Sequence, residues 1–294
     1  MANFQQHKYK WQRMAKIWAL FSKPGRPSQE DIKNFDILLK IAIKNKKEPT
    51  ILVLGATPEI RKLLYIYSKN KGAKIICADM LEDNYRAMSS FIKKKNPKEK
   101  LVKVNWLELS KKIKQNSIDV VIGDYVRGNV GGFEDNFYKE IKKILTGGGY
   151  FIVRDQWMTG RVRKKIKLET ELKRLTQKVK NKELTVNEAS SYFANHVIFA
   201  GWFKNKENKI SLSYFEKEIN DFALKVRASK DKTLRLVFNW FLRSWWQMKD
   251  KYWINYSKGG LLKIIKKHFK VEKILFSNDY EIAKESPIFL LRKS

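Results

Sequence analysis

Cysteine, histidine and long apolar runs are scarce in this chain of 294 residues. The single cysteine, Cys77, excludes an internal disulfide framework and is typical of a protein kept in a reducing cytoplasm. Three scattered histidines and one cysteine make a zinc site improbable, so we expect no bound metal. No apolar run reaches the roughly 18 residues that a membrane-spanning helix requires. The N-terminus also lacks the apolar core of a secretion signal, and we therefore expect a cytoplasmic protein.

Acidic residues are also few, at 30 against 62 basic ones, which gives a formal net charge of +32. The excess is spread along the chain: residues 1–160 hold 31 basic and 16 acidic residues, and residues 161–294 hold 31 and 14. Such a charge fits a polyanionic partner such as RNA, DNA or an acidic membrane surface. It also fits a lysine-rich solvated surface, which the even spread and the excess of lysine over arginine favour.

Apolar strands alternate with helices through the first half of the chain. Strands are predicted at 51–55, 73–79, 100–106, 117–124 and 148–156, and the helices between them at 58–70, 82–95 and 133–146. Two further strands, 270–277 and 286–293, are expected to pair at the C-terminus. The pattern predicts an α/β fold with a doubly wound, mostly parallel, seven-stranded sheet.

The remaining sequence divides the chain into four sections. We expect residues 1–48 to form N-terminal helices, 49–160 the Rossmann-like core, 161–264 a helical insertion after the fifth strand that caps the acceptor, and 265–294 the strand pair that completes the sheet. Aromatic residues crowd the part of the insertion between 239 and 256. We expect them to pack in a helix against the sheet domain. The alternatives are base stacking, a membrane surface, or an apolar lid over a small ligand.

The turn after the first strand is specified without a run of glycines. Gly55 and Ala56 are followed by Thr57, a natural N-cap, and by Pro58, which suits the first helical turn. A dinucleotide site would have a glycine where Thr57 stands, because the pyrophosphate approaches the backbone closely there. The turn therefore disfavours a nicotinamide cofactor.

Polar or aromatic residues also follow the next three strands. Asp79 and Met80 follow the second strand, and Asp79 lies 24 positions after Gly55, where an acidic residue commonly accepts hydrogen bonds from ribose. Asn105 and Trp106 follow the third strand, and Asp124 ends the fourth. Ligands of open α/β sheets bind beyond the carboxyl ends of the strands, so these residues are predicted to form one site.

This series resembles the class I S-adenosylmethionine-dependent methyltransferases over roughly residues 49–160 and the C-terminal strand pair. The N-terminal stretch and the first loop, LG-x-TPE, resemble a poorly characterised branch of that family. The resemblance implies S-adenosylmethionine as cofactor and N-terminal helices that cover it. The implied cofactor contacts are Gly55, Ala56 and Thr57 with the methionine part, Asp79 and Met80 with the ribose, and Asn105 and Trp106 with the adenine. It also implies a place for Asp124 near the methionine end and the methyl acceptor.

The sequence departs from the family at two points. Only Gly55 remains of the commoner glycine-rich loop, and Asp124 is not followed by the Pro-Pro-Tyr or Pro-Pro-Phe of enzymes that methylate amino groups of adenine or glutamine. Amino-methylating DNA enzymes are therefore disfavoured.

Carboxylates supply the candidates for proton transfer, which is needed only where the acceptor carries a proton of high pKa. Asp124 and Asp155 are predicted catalytic residues, although Asp155 could instead pair with Arg154 or Arg161. We expect His196 to be a packed or surface residue rather than a base. The predicted function is methyl transfer to a small molecule. The alternatives are an RNA methyltransferase that uses the basic surface and a non-catalytic nucleic-acid-binding module on the same fold.

Overall fold

Seven strands form one sheet in the computed structural model, which describes residues 17–158, 167–204 and 209–293. The strands of this sheet are β1 (Thr50–Leu54), β2 (Lys74–Asp79), β3 (Lys100–Lys103), β4 (Ile118–Asp124), β5 (Leu145–Arg154), β10 (Phe269–Leu275) and β11 (Ile288–Lys293). Short strands elsewhere are β6 (Trp157–Met158), β7 (Lys209–Ser211), β8 (Tyr252–Ile254) and β9 (Tyr256–Ser257).

The order across the sheet is β10-β11-β5-β4-β1-β2-β3. The pairs within β1 to β5 are parallel, whereas β11 runs antiparallel to both β5 and β10. The predicted fold class is confirmed: the chain forms a seven-stranded, mostly parallel sheet with flanking helices.

Continuous apolar runs explain the central strands. The side chains from Ile51 to Leu54 are at most 1% exposed, and those from Val120 to Ile122 are fully buried. A strand covered on both faces loses the alternation of apolar and polar residues that a half-exposed strand shows. The two strands form the middle of the sheet because their sequences tolerate no solvent-facing side.

The helices are α1 (Gln29–Ala42), α2 (Pro58–Lys71), α3 (Glu82–Ser89), α4 (Glu134–Ile144), α5 (Leu168–Lys180), α6 (Val186–Lys204), α7 (Glu216–Ala228), α8 (Lys232–Arg243) and α9 (Lys258–Lys266). The helix predicted for 82–95 ends six residues early, at Ser89. The Ser89 and Ser90 hydroxyls donate to the backbone carbonyls of Tyr85 and Ala87, at 2.6 and 2.7 Å. Serine side chains that bond to the backbone in this way compete with helix continuation.

The described chain divides into two compact units. A sheet unit comprises residues 29–157 and 256–293, and a helical unit comprises 17–28, 158–198, the backbone of 199–204, and 209–255. The chain therefore enters the helical unit directly after β5 and returns to the sheet unit at β9. These breaks fall at different residues from the predicted sections, since α1 groups with the sheet. The helix predicted within 9–22 lies mostly outside the described residues, and its described end is a 3₁₀ turn at Trp18–Leu20.

Two features of the helical unit differ from the prediction. β7 and β8 pair antiparallel where no strand was predicted. The aromatic segment 239–256 is not one helix, because α8 ends at Arg243 and a 3₁₀ turn and β8 follow. Its aromatic side chains pack within the unit: Trp245 donates its indole hydrogen to the Ser191 hydroxyl at 3.2 Å, and Trp240 donates to the Leu20 carbonyl at 3.1 Å. Among the helices that the structure describes, none is long and apolar enough to cross a bilayer.

Candidate active site

Parallel pairing brings the ends of four strands to one edge of the sheet. Leu54 at the end of β1 lies opposite Ala78 of β2 and Gly123 of β4, and Asp79 lies opposite Lys103 of β3. The residues that directly follow these positions therefore share an edge, as the sequence predicted for ligand-binding residues of an open sheet.

Gly55 begins the first turn with a φ of +79°, a backbone conformation that favours glycine. Its N–H donates to the Ala78 carbonyl at 2.9 Å, which fastens the turn to the end of β2. A Cβ atom at this position would lie 3.4 Å from Cζ2 of Trp106. The one remaining glycine of the loop is thus required by its φ, and the side chain of Trp106 lies directly against it.

Trp106 joins the ends of three strands. Its indole Nε1–H donates to the Ala78 carbonyl at 2.9 Å, the same oxygen that Gly55 uses, and its ring lies against Gly55. Asn105 orients this residue, since its Oδ1 accepts from the Leu107 N–H at 3.0 Å and so caps the 3₁₀ turn that Trp106 begins. The half-buried indole is therefore fixed in place, and its N–H edge is hydrogen-bonded to the backbone.

Asp79 is held in a set of local hydrogen bonds. One carboxylate oxygen accepts from the Leu81 N–H at 2.9 Å, and the other accepts from the Asn84 amide at 3.0 Å. The residue is 7% exposed, and burial raises the pKa of its carboxyl above the ordinary value although these hydrogen bonds oppose the change. Each oxygen accepts one of these bonds and retains a further acceptor site. Met80, next in the chain, is half-buried.

The residues that follow Gly55 begin α2, and their contacts differ from those that residue type predicts. Thr57 occupies the N-cap position of α2, but its side chain makes no capping hydrogen bond, so Pro58 and Glu59 are left to specify the helix start. Ala56 beside it is buried. Arg61, one position beyond the third glycine of a dinucleotide loop, is 4% exposed and pairs with Glu99 at 2.6 Å. Ile60 stands at that third position, and its fully buried side chain excludes the tight helix packing that a glycine would permit.

Asp124 is part of a buried ion network. Nε of Arg154 donates to one oxygen of Asp124 at 2.6 Å and Nη2 donates to the other at 3.1 Å, while Nη1 donates to Asp31. All three side chains are at most 4% exposed. Two carboxylates thus share one guanidinium, which leaves one negative charge uncompensated within the network.

That excess charge is reflected in Asp124. Burial raises the pKa of Asp124 to about 6, against the pull of Arg154, and the carboxylates of Asp31 and Glu59 add to the rise. Ser277 and Tyr280 spread part of the charge by donating their hydroxyls to Asp31, at 2.6 and 3.2 Å. A carboxyl poised between its two forms near neutral pH is a frequent property of functional sites.

Asp155 pairs with Arg127 and not with Arg154, one of the two partners that the sequence offered for it. Its partner is Arg127, whose Nε and Nη2 donate to the two carboxylate oxygens at 2.7 and 2.9 Å. The Gln156 N–H donates to the Asp155 carboxylate as well, at 2.7 Å. Arg154 is engaged by Asp31 and Asp124, and Arg161 lies outside the described residues.

Tyr125, which follows β4, and His196, in the helical unit, also make specific side-chain contacts. Tyr125 has a φ of +50°, lies with its ring 4.3 Å from the Arg154 guanidinium carbon, and donates its hydroxyl to Ser286 at 2.8 Å. His196 is in the helical unit and contacts Glu171 at 3.0 Å, which agrees with a packed histidine.

Sequence reasoning missed Asp31 and Arg154 as members of the site. Arg154 carried a signal, because a charged residue at the end of the buried strand FIVR requires a partner. Asp31 carried a misleading one, since an acidic residue in the first turn of a helix is explained by the helix dipole alone. Its role depends on a contact across 123 positions of chain.

Solved structures with related folds have low sequence identity to this chain. A protein from Rhodobacter sphaeroides, assigned to the Zn-dependent alcohol dehydrogenases, matches with a TM-score of 0.54 at 11% identity, covering 97% of this chain and 98% of the other. An S-adenosylmethionine-dependent methyltransferase from Methanosarcina mazei matches with a TM-score of 0.49 at 11% identity, covering 86% and 96%. A 1,6-didemethyltoxoflavin N1-methyltransferase from Burkholderia thailandensis matches with a TM-score of 0.47 at 9% identity, covering 98% and 90%.

At these identities the likeness gives the fold alone. No protein-family model matches the sequence, and no curated protein matches it. In the part of the chain that the structure describes, no group of three or more His, Cys, Asp or Glu side chains is arranged to hold a metal ion. The chemistry of the site therefore follows from this chain's own residues.

Replacing Arg154 by methionine tests the ion network. The change leaves Asp31 and Asp124 buried without their cation, which should lower the free energy of unfolding by about 3–5 kcal/mol. Urea denaturation measures the loss. Adding Asp31→Asn and Asp124→Asn to the same chain should restore most of it, because no buried charge remains. Arg292→Met, at a half-exposed side chain of β11, is the control. A loss below about 1 kcal/mol in Arg154→Met would contradict the assignment.

The raised pKa of Asp124 predicts a pH dependence of stability. The folded protein holds the Asp124 proton more tightly than the unfolded chain, so this group's contribution to stability is largest below about pH 4 and declines as the pH rises to about 6. Thermal melting of the wild type and of Asp124→Asn over that range should show this decline only in the wild type. Equal slopes in the two proteins would contradict the shift.

Proposed function

We propose that this protein is an S-adenosylmethionine-dependent methyltransferase. The observation that carries the proposal is the cluster of Gly55, Trp106 and Asp79 at the carboxyl edge of β1 to β3. It combines a glycine turn, an aromatic side chain and a buried carboxylate at the carboxyl edge of a seven-stranded, mostly parallel sheet.

The residues present fit this cofactor better than a dinucleotide. S-adenosylmethionine has no phosphate, so the loop at Thr57 has no need of a second glycine that would admit a pyrophosphate. The Asp79 carboxylate suits ribose hydroxyls, which are hydrogen-bond donors, and the indole of Trp106 suits the adenine ring. Gly55, Ala56 and Thr57 would hold the methionine part, with Met80 and Asn105 beside the nucleoside. The bound cofactor would supply an activated methyl group on a sulfonium.

Methyl transfer is an in-line displacement that depends chiefly on alignment and on the exclusion of water. Within the proposed site, Asp124 would orient the acceptor and accept a hydrogen bond, or a proton, from the attacking atom. Its raised pKa suits an exchange of protons near neutral pH. Asp155 pairs with Arg127 through both oxygens, as Asp124 does with Arg154, but it also accepts from the Gln156 N–H, so we assign it the role of positioning Arg127.

We propose a small molecule as the acceptor. In the sheet unit, the cations at the ends of β4 and β5 are Arg127 and Arg154, and both are at most 1% exposed and engaged by carboxylates. They are not available to a nucleic-acid backbone. The uncompensated carboxylate charge around Asp124 would also repel a phosphate and instead suits a small acceptor that carries a hydrogen-bond donor.

An RNA methyltransferase is the second candidate, and the net charge of +32 favours it. A nucleic-acid acceptor would contact exposed lysines and release counterions from the phosphate backbone. A non-catalytic nucleic-acid-binding module would show the same salt dependence without binding the cofactor.

Calorimetric titration with S-adenosylhomocysteine tests the cofactor. Saturable binding is expected, and Asp79→Asn should weaken it about tenfold or more, because a charged hydrogen bond to ribose is lost. The amide can be accommodated, since Oδ1 of Asn84 is buried with no partner among the described residues and can accept from it after a flip. Asp83→Asn, at an exposed carboxylate nearby, is the matched control. No binding by the folded wild type would overturn the proposal.

Salt dependence separates the two acceptor classes. The small-molecule proposal predicts weak, unsaturable binding of an oligoribonucleotide at low salt. The RNA candidate predicts saturable binding whose affinity falls steeply as salt rises. Fluorescence anisotropy at several salt concentrations measures this, and saturable, salt-dependent RNA binding together with methyl transfer to the RNA would favour the second candidate over the first.

A further inference from the structure

A cavity of about 450 Å³ lies on the flank of the sheet unit, between α2, α3 and the chain that leads into β3. The lining residues that matter here are Arg61, Tyr85, Arg86, Lys94, Lys95 and Asn96. None of the residues proposed to hold the cofactor lines it. The cavity is therefore a separate feature, and a ligand bound there is independent of methyl transfer.

Arg61 lines this cavity, and its guanidinium is held in a fixed position. Its Nε and Nη2 donate to Glu99 at 2.9 and 2.6 Å, and Nη2 also donates to the Ser89 hydroxyl at 2.9 Å. The guanidinium carbon lies 4.2 Å from the centre of the Tyr85 ring. The residue is 4% exposed, and its remaining nitrogen, Nη1, is buried with no hydrogen-bond partner in the described structure. An unpaired buried donor destabilises the folded protein, and an added acceptor would remove that cost.

Asn96 supplies a second donor of the same kind. Its Oδ1 accepts from the Lys98 N–H at 3.0 Å, which identifies the oxygen and so leaves the nitrogen, Nδ2, pointing elsewhere. Nδ2 is also buried and lacks a partner within the residues described. Two unsatisfied donors in one cavity are unusual, because nearly all buried polar groups are paired.

The charge around the cavity has one dominant sign. Four of its lining residues are cations, namely Arg61, Arg86, Lys94 and Lys95, against the single carboxylate of Glu99. Glu99 is neutralised locally, since one of its oxygens accepts from both Arg61 and the Tyr85 hydroxyl. Lys94 and Lys95 are exposed, so their side chains can rearrange to admit a ligand.

We propose that this cavity binds a phosphate group. A phosphate offers several acceptor oxygens to the unpaired nitrogens of Arg61 and Asn96, and its charge matches the surrounding lysines. The preformed guanidinium loses little conformational freedom on binding, because Glu99, Ser89 and Tyr85 already hold it. The phosphate could belong to a mononucleotide or to the backbone of an RNA strand.

Titration calorimetry with adenosine monophosphate, adenosine and a short oligoribonucleotide tests the proposal. Asn96→Asp keeps the oxygen that Lys98 needs and replaces the unpaired donor by an acceptor. It should weaken phosphate binding about tenfold or more, and the double variant Lys94→Gln, Lys95→Gln should weaken it as well. The control is Lys93→Gln with Lys98→Gln, which removes the same charge from exposed lysines of the same segment that do not line the cavity.

The ligands distinguish the two sources of phosphate. Binding of the monophosphate but not of adenosine, lost in Asn96→Asp and retained in the control, supports a small phosphorylated ligand. The same variant pattern with the oligoribonucleotide alone supports an RNA backbone. No binding of either phosphate, or equal losses in the cavity variants and the control, would overturn the proposal. Thermal melting verifies that each variant is folded.

Discussion

The guanidinium of Arg154 is the contact on which the proposed acceptor end depends. It joins Asp31 of α1, Asp124 at the end of β4 and its own strand, β5, in a network whose side chains are at most 4% exposed. Charges buried to this extent are tolerated only when they are paired with good geometry. The pairing therefore fixes where α1 lies on the sheet and holds the Asp124 carboxylate at the edge where a ligand would bind.

A second constraint acts at the first turn. Gly55 and Trp106 share the Ala78 carbonyl as acceptor, so the ends of β1, β2 and β3 are fastened together by one oxygen. The turn has lost the other glycines of a dinucleotide loop, and the buried side chain of Ile60 fills the helix-packing space that the third glycine would leave. What remains is an edge that can contact a nucleoside through a carboxylate and an aromatic ring and offers no close approach to a pyrophosphate.

Local pattern was enough to predict the sheet, because its central strands are continuous apolar runs between turn residues. The end of α3 was not predictable from periodicity, since two serine hydroxyls divert its backbone carbonyls. The capping hydrogen bond expected from the Thr57 side chain does not form either, because a threonine at the N-cap position can make that bond but need not. Contacts between residues that are distant along the chain were harder to predict. Asp124 was placed at the site, but its pairing with Arg154 and Asp31 joins three elements whose contact no spacing rule gives.

The edge formed by Gly55, Asp79 and Trp106 is proposed to hold the nucleoside of S-adenosylmethionine. A crystal structure with S-adenosylhomocysteine bound tests this most directly. We expect ribose hydroxyls within hydrogen-bonding distance of the Asp79 carboxylate and the adenine ring beside Trp106. A ligand that binds elsewhere on the protein, or an edge left empty at saturating ligand, would contradict the proposal.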